Sequence, residues 1–478
     1  MRYIVGCDIG TTSVKAVSFS LEGAILGSES IAYPMLHPAP AYAEQDPDEI
    51  FRHTVTVLKK LIAGHDKSPV AVVFSSAMHS LMALDEHGVP GSSLIIWADN
   101  RSGDLADRLR NSAGGKAQYL RTGIPVHAMT PACKLLWVNL HKPDGLYRAS
   151  RYLGIKDYVI LRLTGRLVTD YSMAAAMGLL NIRTLEWDEE TLTGLEITPG
   201  QLPEIVSPYF SAPVTREWEI LKDIPVIAGG SDGCLANLGS GAGGPGTLAL
   251  TIGTSGAVRK TFKEVHLDLQ MRTFCYPLDR DIMIVGGPTN NGGVVFQWLK
   301  DTFFADLTFE QMLEGAAAIA PGSEGLTFFP YLMGERAPLW DSAVRGNFHG
   351  IDIGHTRFHF ARAVMEGILM NLYTIAGVLL EKEEAHILYA NGGFAQSRVF
   401  VQMLADIFGM DVALNATNDA GCIGAALVGL RALGEIPDFS NVENFVKVAE
   451  IVKFNADVHA AYREVFDRFG KLLKTIPL

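Results

Sequence analysis

The sequence predicts a layered α/β protein of two large domains, with a duplicated core as a hypothesis. Three observations carry this. The chain of 478 residues is too long for one ordinary hydrophobic core. Short apolar strands alternate with amphipathic helices, the pattern of layered α/β domains. A strand–turn–strand unit with Ile-Gly-Thr at its bend occurs near the start, at Ile9-Gly10-Thr11, and again at Ile252-Gly253-Thr254. A chance match and a duplicated core both remain open on that last feature alone.

In chain order, Tyr3–Cys7 reads as a strand, Val14–Ser20 as its neighbour, and Ala24–Ser28 as a third. Asp46-Pro47-Asp48-Glu49 reads as a helix start: Asp46 caps, Pro47 takes the first helical position and Glu49 sits at N3. Val57, Leu58 and Leu61 share one face of that helix. Val70–Phe74 reads as a buried strand running into Ser75-Ser76-Ala77-Met78-His79, and Val226-Ile227 as a strand end. Thr247–Ile252 and Ala257–Lys260 form the second hairpin. An apolar stripe predicts a core helix over Phe360–Leu380, followed by a strand at Ile387–Ala390 and an amphipathic helix at Val399–Phe408. Small apolar residues from Gly421 to Leu430 predict a closely packed final helix. The domains are expected at 1–244 and 245–478, facing each other across a cleft.

The formal net charge of −12 argues against nucleic acid or anionic membrane as a partner. The five cysteines are scattered and odd in number, which suits a reduced compartment. With no signal-like start and no uninterrupted apolar run of spanning length, the expected location is cytoplasmic.

G-x-x-x-x-G-K-[ST], G-x-G-x-x-G in the first turn, and G-x-S-x-G in an acyl-hydrolase context are absent. The opening turn reads equally as a hairpin with a capping acid or as an anion clamp. In the second reading Gly10 lets backbone approach phosphate, Thr11, Thr12 and Ser13 donate, Lys15 adds charge and Asp8 faces a divalent cation. Gly253-Thr254-Ser255-Gly256 reads as a glycine-rich turn or a second phosphate clamp. Asp232, between glycines after a strand, is a local turn residue or a base for an attacking hydroxyl. Met78, His79, Trp97, Asp99 and Arg101 suit a polyhydroxylated acidic ligand, or else are core and surface residues. Asn391-Gly392-Gly393 through Ser397 is a helix start or a seat for an adenosine.

Taken in order, Asp8-Ile9-Gly10-Thr11-Thr12, Ala43-Glu44-Gln45-Asp46-Pro47, Met78-His79, Trp97-Ala98-Asp99-Asn100-Arg101, Gly230-Ser231-Asp232-Gly233, Ile252-Gly253-Thr254-Ser255-Gly256 and Asn391-Gly392-Gly393 resemble the FGGY carbohydrate kinases over essentially the whole chain. The resemblance implies two ribonuclease-H-like domains, as in actin and the heat-shock ATPases, enclosing Mg2+ and ATP with a sugar. It implies Asp232 as general base, Asp8 beside magnesium, and Thr12, Ser13 and Lys15 toward the transferred phosphate. It further implies Thr254 at the ATP phosphates, Gly293, Gly393 and Ser397 beside the nucleotide, and Met78, His79 and Asp232 around the sugar.

Within the family, Ser75–Ser80, Trp97–Arg101 and Gly286–Gly293 are most similar to bacterial gluconate kinases. Xylulose kinases usually carry Asn where Gly233 stands, and glycerol kinases Arg where His79 stands. The resemblance therefore implies transfer from ATP to the 6-hydroxyl of D-gluconate, with Arg101 or Lys134 as candidates to balance the substrate carboxylate. A kinase for xylulose or another polyol or sugar acid is the competing enzyme. A non-catalytic sensor and an actin-like filament protein are disfavoured by Asp8 with Asp232 and by the sugar-side residues, respectively. The family is also compatible with a homodimer.

Overall fold

The computed structural model describes residues 1–215, 218, 221–417, 419–439 and 445–475. The chain forms two compact units. The first comprises Met1–Gly243, Phe262–Ile284 and Asp419–Val446; the second comprises Gly244–Thr261, Val285–Asn418 and Lys447–Leu478. The boundary at 244/245 is thus the first of several crossings, and the chain returns to the first unit twice.

The first unit holds a six-stranded sheet in the order Ser211–Pro213, Pro225–Ser231, Val72–Ser76, β1 (Tyr3–Ile9), β2 (Ser13–Ser20) and β3 (Ile25–Ala32). β1, β2 and β3 form an antiparallel meander, while β1, Val72–Ser76 and Pro225–Ser231 run parallel. The central strands are buried on both faces, so they read as continuous Val, Ile and Phe rather than as alternation. β3 lies at the edge and exposes Ser28 and Ser30 beside Ile25 and Leu26.

In the second unit Gly256–Phe262 pairs antiparallel with Thr247–Ile252. Thr247–Ile252 pairs parallel with Ile387–Asn391, which pairs parallel with Asp411–Asn415, and Val448–Val452 closes antiparallel. This repeats the central order of the first sheet, a hairpin, two further parallel strands and an antiparallel edge, in a sheet of seven strands rather than six. The Ile-Gly-Thr echo therefore marks a duplicated core, and both units have the expected ribonuclease-H-like α/β layout. The bends differ by one residue. Ile9 pairs with Val14 across four residues, Ile252 with Gly256 across three.

Local chemistry places most elements where expected. Helix α1 spans Pro47–Ala63, and the Asp46 carboxylate accepts from Asp48 N at 2.8 Å and Glu49 N at 3.1 Å. Three expectations need correction. The strand at Val226-Ile227 runs on to Ser231, because a bulge between Ile227 and Gly230 carries it past Phe74. Only glycine fits there: Gly229 has φ +64°, and a Cβ would lie 1.9 Å from the Phe74 carbonyl oxygen. Helix Arg357–Leu380 is buried around nearly its whole circumference, not along one stripe. It is long and apolar enough to cross a membrane, yet 78% of that stretch is buried inside the fold, as befits a core helix. Helix Ala420–Ala432 is closely packed as expected but not final, since strand Val448–Val452 and helix Ala456–Leu473 follow it.

Helix Ala420–Ala432 lies against β1 and helix Asp232–Gly239 with backbone touching backbone. A Cβ would fall 2.1 Å from the Cys422 carbonyl oxygen at Gly6, 1.9 Å from that of Ala420 at Gly239, and 2.0 Å from that of Leu235 at Gly424. No flexible side chain at these contacts can yield. Gly424→Ala should therefore lower stability by about 1–3 kcal/mol or more, read as a fall in Tm; an unchanged Tm would show that the helix can slide away from its seat.

Candidate active site

The three parallel strands of the first unit end side by side. Their register sets Asp8 opposite Ser75, Ser75 opposite Gly230 and Ser76 opposite Ser231. Asp8, the segment leading to Met78-His79, and Asp232 thus emerge at one edge, the carboxyl end where α/β sheets bind ligands.

Asp8 is half-buried, and its Oδ1 accepts from Ser75 Oγ at 2.6 Å. Burial raises its pKa above the ordinary carboxylate value; the Ser75 bond and Lys15 oppose the rise and Asp419 adds to it. The backbone at the start of helix Ala420–Ala432 closes over the carboxyl, since a Cβ at Gly421 would stand 3.2 Å from it. Lys15, facing Asp8 in the hairpin register, is ion-paired to Asp419.

The bend from Gly10 to Ser13 has every carbonyl committed. Gly10 O accepts from Tyr33 Oη at 2.5 Å, Thr11 O from Gln45 Nε2 at 2.6 Å, Thr12 O from Tyr33 N at 3.0 Å and Ser13 O from Gly10 N at 2.9 Å. Trp97 Nε1 donates to Thr11 Oγ1 at 2.9 Å. With its acceptors turned inward the bend is stiff, and the exposed Thr12 sits at its tip. Such a bend suits an anion better than a mobile hairpin does. Tyr33 carried no local signal in the sequence, because it reaches the bend from the far end of β3.

His79 lies in the left-handed region, with φ +66°, a conformation that costs energy outside glycine and is found where surrounding structure enforces it. The enforcement is visible. Lys134 Nζ donates to His79 O at 2.5 Å and to Ile96 O at 2.9 Å, tying together the two loops that carry Met78-His79 and Trp97. His79 Nδ1 is 2.7 Å from Ala176 O, and a carbonyl only accepts, so Nδ1 carries a proton; Nε2 lies 3.2 Å from Tyr276 Oη. Lys134 is fully buried, and desolvation pulls its pKa down to about 7.

Asp99 and Arg101 form a brace. The buried Asp99 carboxylate accepts from Ala43 N at 2.7 Å and from Arg101 Nε and Nη2, each at 2.8 Å. Arg101 Nη2 also donates to Glu44 at 2.5 Å, and its guanidinium lies 3.8 Å from the Tyr42 ring centroid. Both cations considered for a substrate carboxylate, Arg101 and Lys134, thus have their donors directed into the fold.

Asp232 is the first residue of helix Asp232–Gly239 and half-buried; its Oδ1 accepts from Gly233 N at 2.7 Å. A helix start favours the ionised carboxylate. Ser231, not Asp232, is the cap, accepting from Cys234 N at 3.4 Å.

The second unit contains a cavity of about 1020 Å³ lined by Gly253, Thr254, Gly293, Gly393 and Ser397, with Phe296, Phe309 and Phe400 on its apolar side. Its bend is pinned by Gly293 N to Gly253 O at 2.7 Å and Val294 N to Thr254 O at 3.1 Å. A Cβ on Gly253 or Gly393 would meet nothing within 4 Å, so both present open backbone. Gly392 has another role: at φ +112° it passes over the Ile252 carbonyl, which a Cβ would approach to 2.1 Å. Ser397 Oγ caps helix Arg398–Phe408 through Phe400 N at 3.3 Å. Glu335, unmarked in the sequence, is a buried hub. It accepts from Thr289 Oγ1 at 2.5 Å, Arg336 N at 2.7 Å, Asn371 Nδ2 at 2.8 Å and Asn290 N at 2.9 Å, which fixes the segment leading to Gly293.

Among the described residues no three of His, Cys, Asp and Glu gather into a metal cage. Asp8, a half-buried carboxylate at the strand ends, has the oxygen-donor chemistry that a magnesium ion takes.

Residues 3–239 match the N-terminal domain, and residues 248–433 the C-terminal domain, of the FGGY family of carbohydrate kinases. The chain is 40% identical over 462 residues to a gluconokinase of Bacillus licheniformis, covering 93% of this chain and 90% of the relative. Two solved structures from Lactobacillus acidophilus, a gluconate kinase and a ligand-bound xylulose kinase, each superpose with a TM-score of 0.96 at 36% identity, covering 99% of this chain and 98% of theirs.

The Lys134 tether makes a pH prediction. The folded-state pKa is lowered, so between about 7 and 10.5 the unfolded chain holds a proton that the folded one lacks. The associated stability is present above 10.5 and lost as pH falls through about 7, with a slope of up to about 1.4 kcal/mol per pH unit. Lys134→Met should remove that contribution to the slope and, by orphaning two carbonyls, lower Tm at pH 8. Parallel slopes for the two proteins in denaturant titrations across pH 7–10 would contradict it.

Proposed function

The chain belongs to the FGGY family of carbohydrate kinases and is an ATP-dependent sugar or sugar-acid kinase, and on that premise we propose that its acceptor is D-gluconate, phosphorylated at the 6-hydroxyl. The observation that carries the choice is the 40% identity to a gluconokinase across 93% of the chain. Gly233, after the base candidate, supports it. D-xylulose is the second reading, favoured by the equal superposition on a xylulose kinase.

In this reading the first unit binds the sugar and the second binds the nucleotide. Asp232, at its helix start, takes the proton of the attacking hydroxyl as the bond to the γ-phosphorus forms and the bond to the ADP leaving group breaks. The Thr11–Ser13 bend presents donors to the phosphoryl oxygens, and Lys15 adds positive charge nearby. Bound magnesium, held by Asp8, supplies charge neutralisation at the phosphates. Met78, His79 and Trp97 shape the sugar side, with His79 protonated at Nδ1, while Asp99 and Arg101 hold the Trp97 loop from behind. Gly253, Thr254, Gly293, Gly393 and Ser397 border the nucleotide, the open glycines leaving room for phosphate beside the backbone. Arg101 is committed to Asp99 and Glu44 and Lys134 to two backbone carbonyls, so neither is assigned to a substrate carboxylate.

The test is ADP release by the purified chain with ATP and Mg2+ over gluconate, xylulose, glycerol and other sugar acids. The expected kcat/KM is at least about tenfold higher for gluconate than for any other acceptor, the discrimination worth ~1.4 kcal/mol of transition-state binding. Strong turnover of xylulose with none of gluconate would replace the assignment with the second reading.

A further inference from the structure

Behind the strand that delivers Asp232 lies an ion pair that the proposed chemistry does not use. Lys156 and Asp170 are both fully buried, and the ammonium is bonded to the carboxylate. Each partner also grips the backbone just before Asp232. Lys156 Nζ donates to Ala228 O at 2.9 Å, at the bulge where the strand ladder shifts register. Asp170 Oδ1 accepts from Ser172 Oγ at 2.5 Å and from Ser172 N at 2.9 Å, and Ser172 Oγ in turn accepts from Ser231 N at 2.8 Å. Ala228 lies in the bulge and Ser231 ends the strand, and Asp232 is the next residue. One buried pair therefore clamps at two points the segment that aims the carboxylate.

We infer that the Lys156–Asp170 pair, acting through Ser172, is a positioning device for Asp232. Burying two charges rarely returns its cost as stability. In the bulge through Gly229, at φ +64°, Ala228 N donates to Phe210 O at 2.9 Å and Gly229 N to Pro208 O at 3.0 Å; the clamp adds bonds at Ala228 O and at Ser231 N. A Cβ on Gly230 would come within 3.3 Å of Ser172 Oγ, so glycine there leaves the serine room to reach Ser231 N. Lys156, Asp170 and Ser172 touch no substrate in this account; they act through the backbone.

This rests on the reading of Asp232 as general base, and a double-mutant cycle separates the two. Ser172→Ala and Asp232→Asn are compared singly and together in the full-length protein, using ATP, Mg2+ and the acceptor with the highest kcat/KM, with nucleotide binding and Tm measured alongside. Ser172→Ala should lower kcat per folded molecule by about 10- to 100-fold, the cost of a slight misplacement, with KM for ATP unchanged. In the Asp232→Asn background it should cost nothing more, because the group it positions is gone. Asp170→Asn, which keeps the side-chain shape, should show the same split and carries the test if Ser172→Ala does not fold. A merely structural role would lower Tm and leave kcat per folded molecule within about twofold; that result, or equal losses in both backgrounds, overturns the inference. Near-normal turnover by Asp232→Asn alone would instead remove the base assignment.

Discussion

The register of three parallel strands is the constraint on which the first unit depends. Setting Asp8 against Ser75, Ser75 against Gly230 and Ser76 against Ser231 brings two carboxylates and two loops to one edge of the sheet. A slip of one residue would turn each side chain to the opposite face. Two features hold the register. Gly229 lets Pro225–Ser231 press onto Phe74, and helix Ala420–Ala432 packs its backbone onto β1 at Gly6. The helix comes from more than 400 residues away in sequence, so the site of the first unit is complete only when the C-terminal part of the chain has folded onto it.

Much of this was legible because the signals were local. Asp46-Pro47-Asp48-Glu49 encodes a cap by hydrogen bonds reaching two and three residues ahead, and both Ile-Gly-Thr bends join strands that are neighbours in sequence. What was not legible was non-local. Asp99 and Arg101 looked like groups for a ligand because their spacing is short, yet their partners Ala43, Glu44 and Tyr42 lie more than fifty residues upstream. Lys134 was an open candidate for the substrate carboxylate; only the fold shows its Nζ holding His79 and Ile96. Tyr33, Tyr276, Glu335 and the Lys156–Asp170 pair had no sequence mark, since a buried polar hub is defined by who surrounds it.

These hubs share a logic. Each buried charge serves backbone groups that regular secondary structure leaves free: Lys134 at a left-handed residue, Lys156 at a bulge, Glu335 at the segment before a glycine pair. Irregular backbone exposes functional groups but loses its ladder bonds, and charged or amide side chains restore the lost partners at fixed positions. Preorganisation of this kind fits an enzyme in which charge develops on a phosphoryl group and little can be spent on rearrangement.

The central claim is that the Asp232 carboxylate, presented at the strand ends, receives the proton of the acceptor hydroxyl. A crystal structure with D-gluconate and a non-hydrolysable ATP analogue measures this most directly. The account predicts the 6-hydroxyl at about 2.6–3.2 Å from an Asp232 carboxylate oxygen. Gluconate seated with a different hydroxyl at that carboxylate, or bound away from the strand ends, would contradict it.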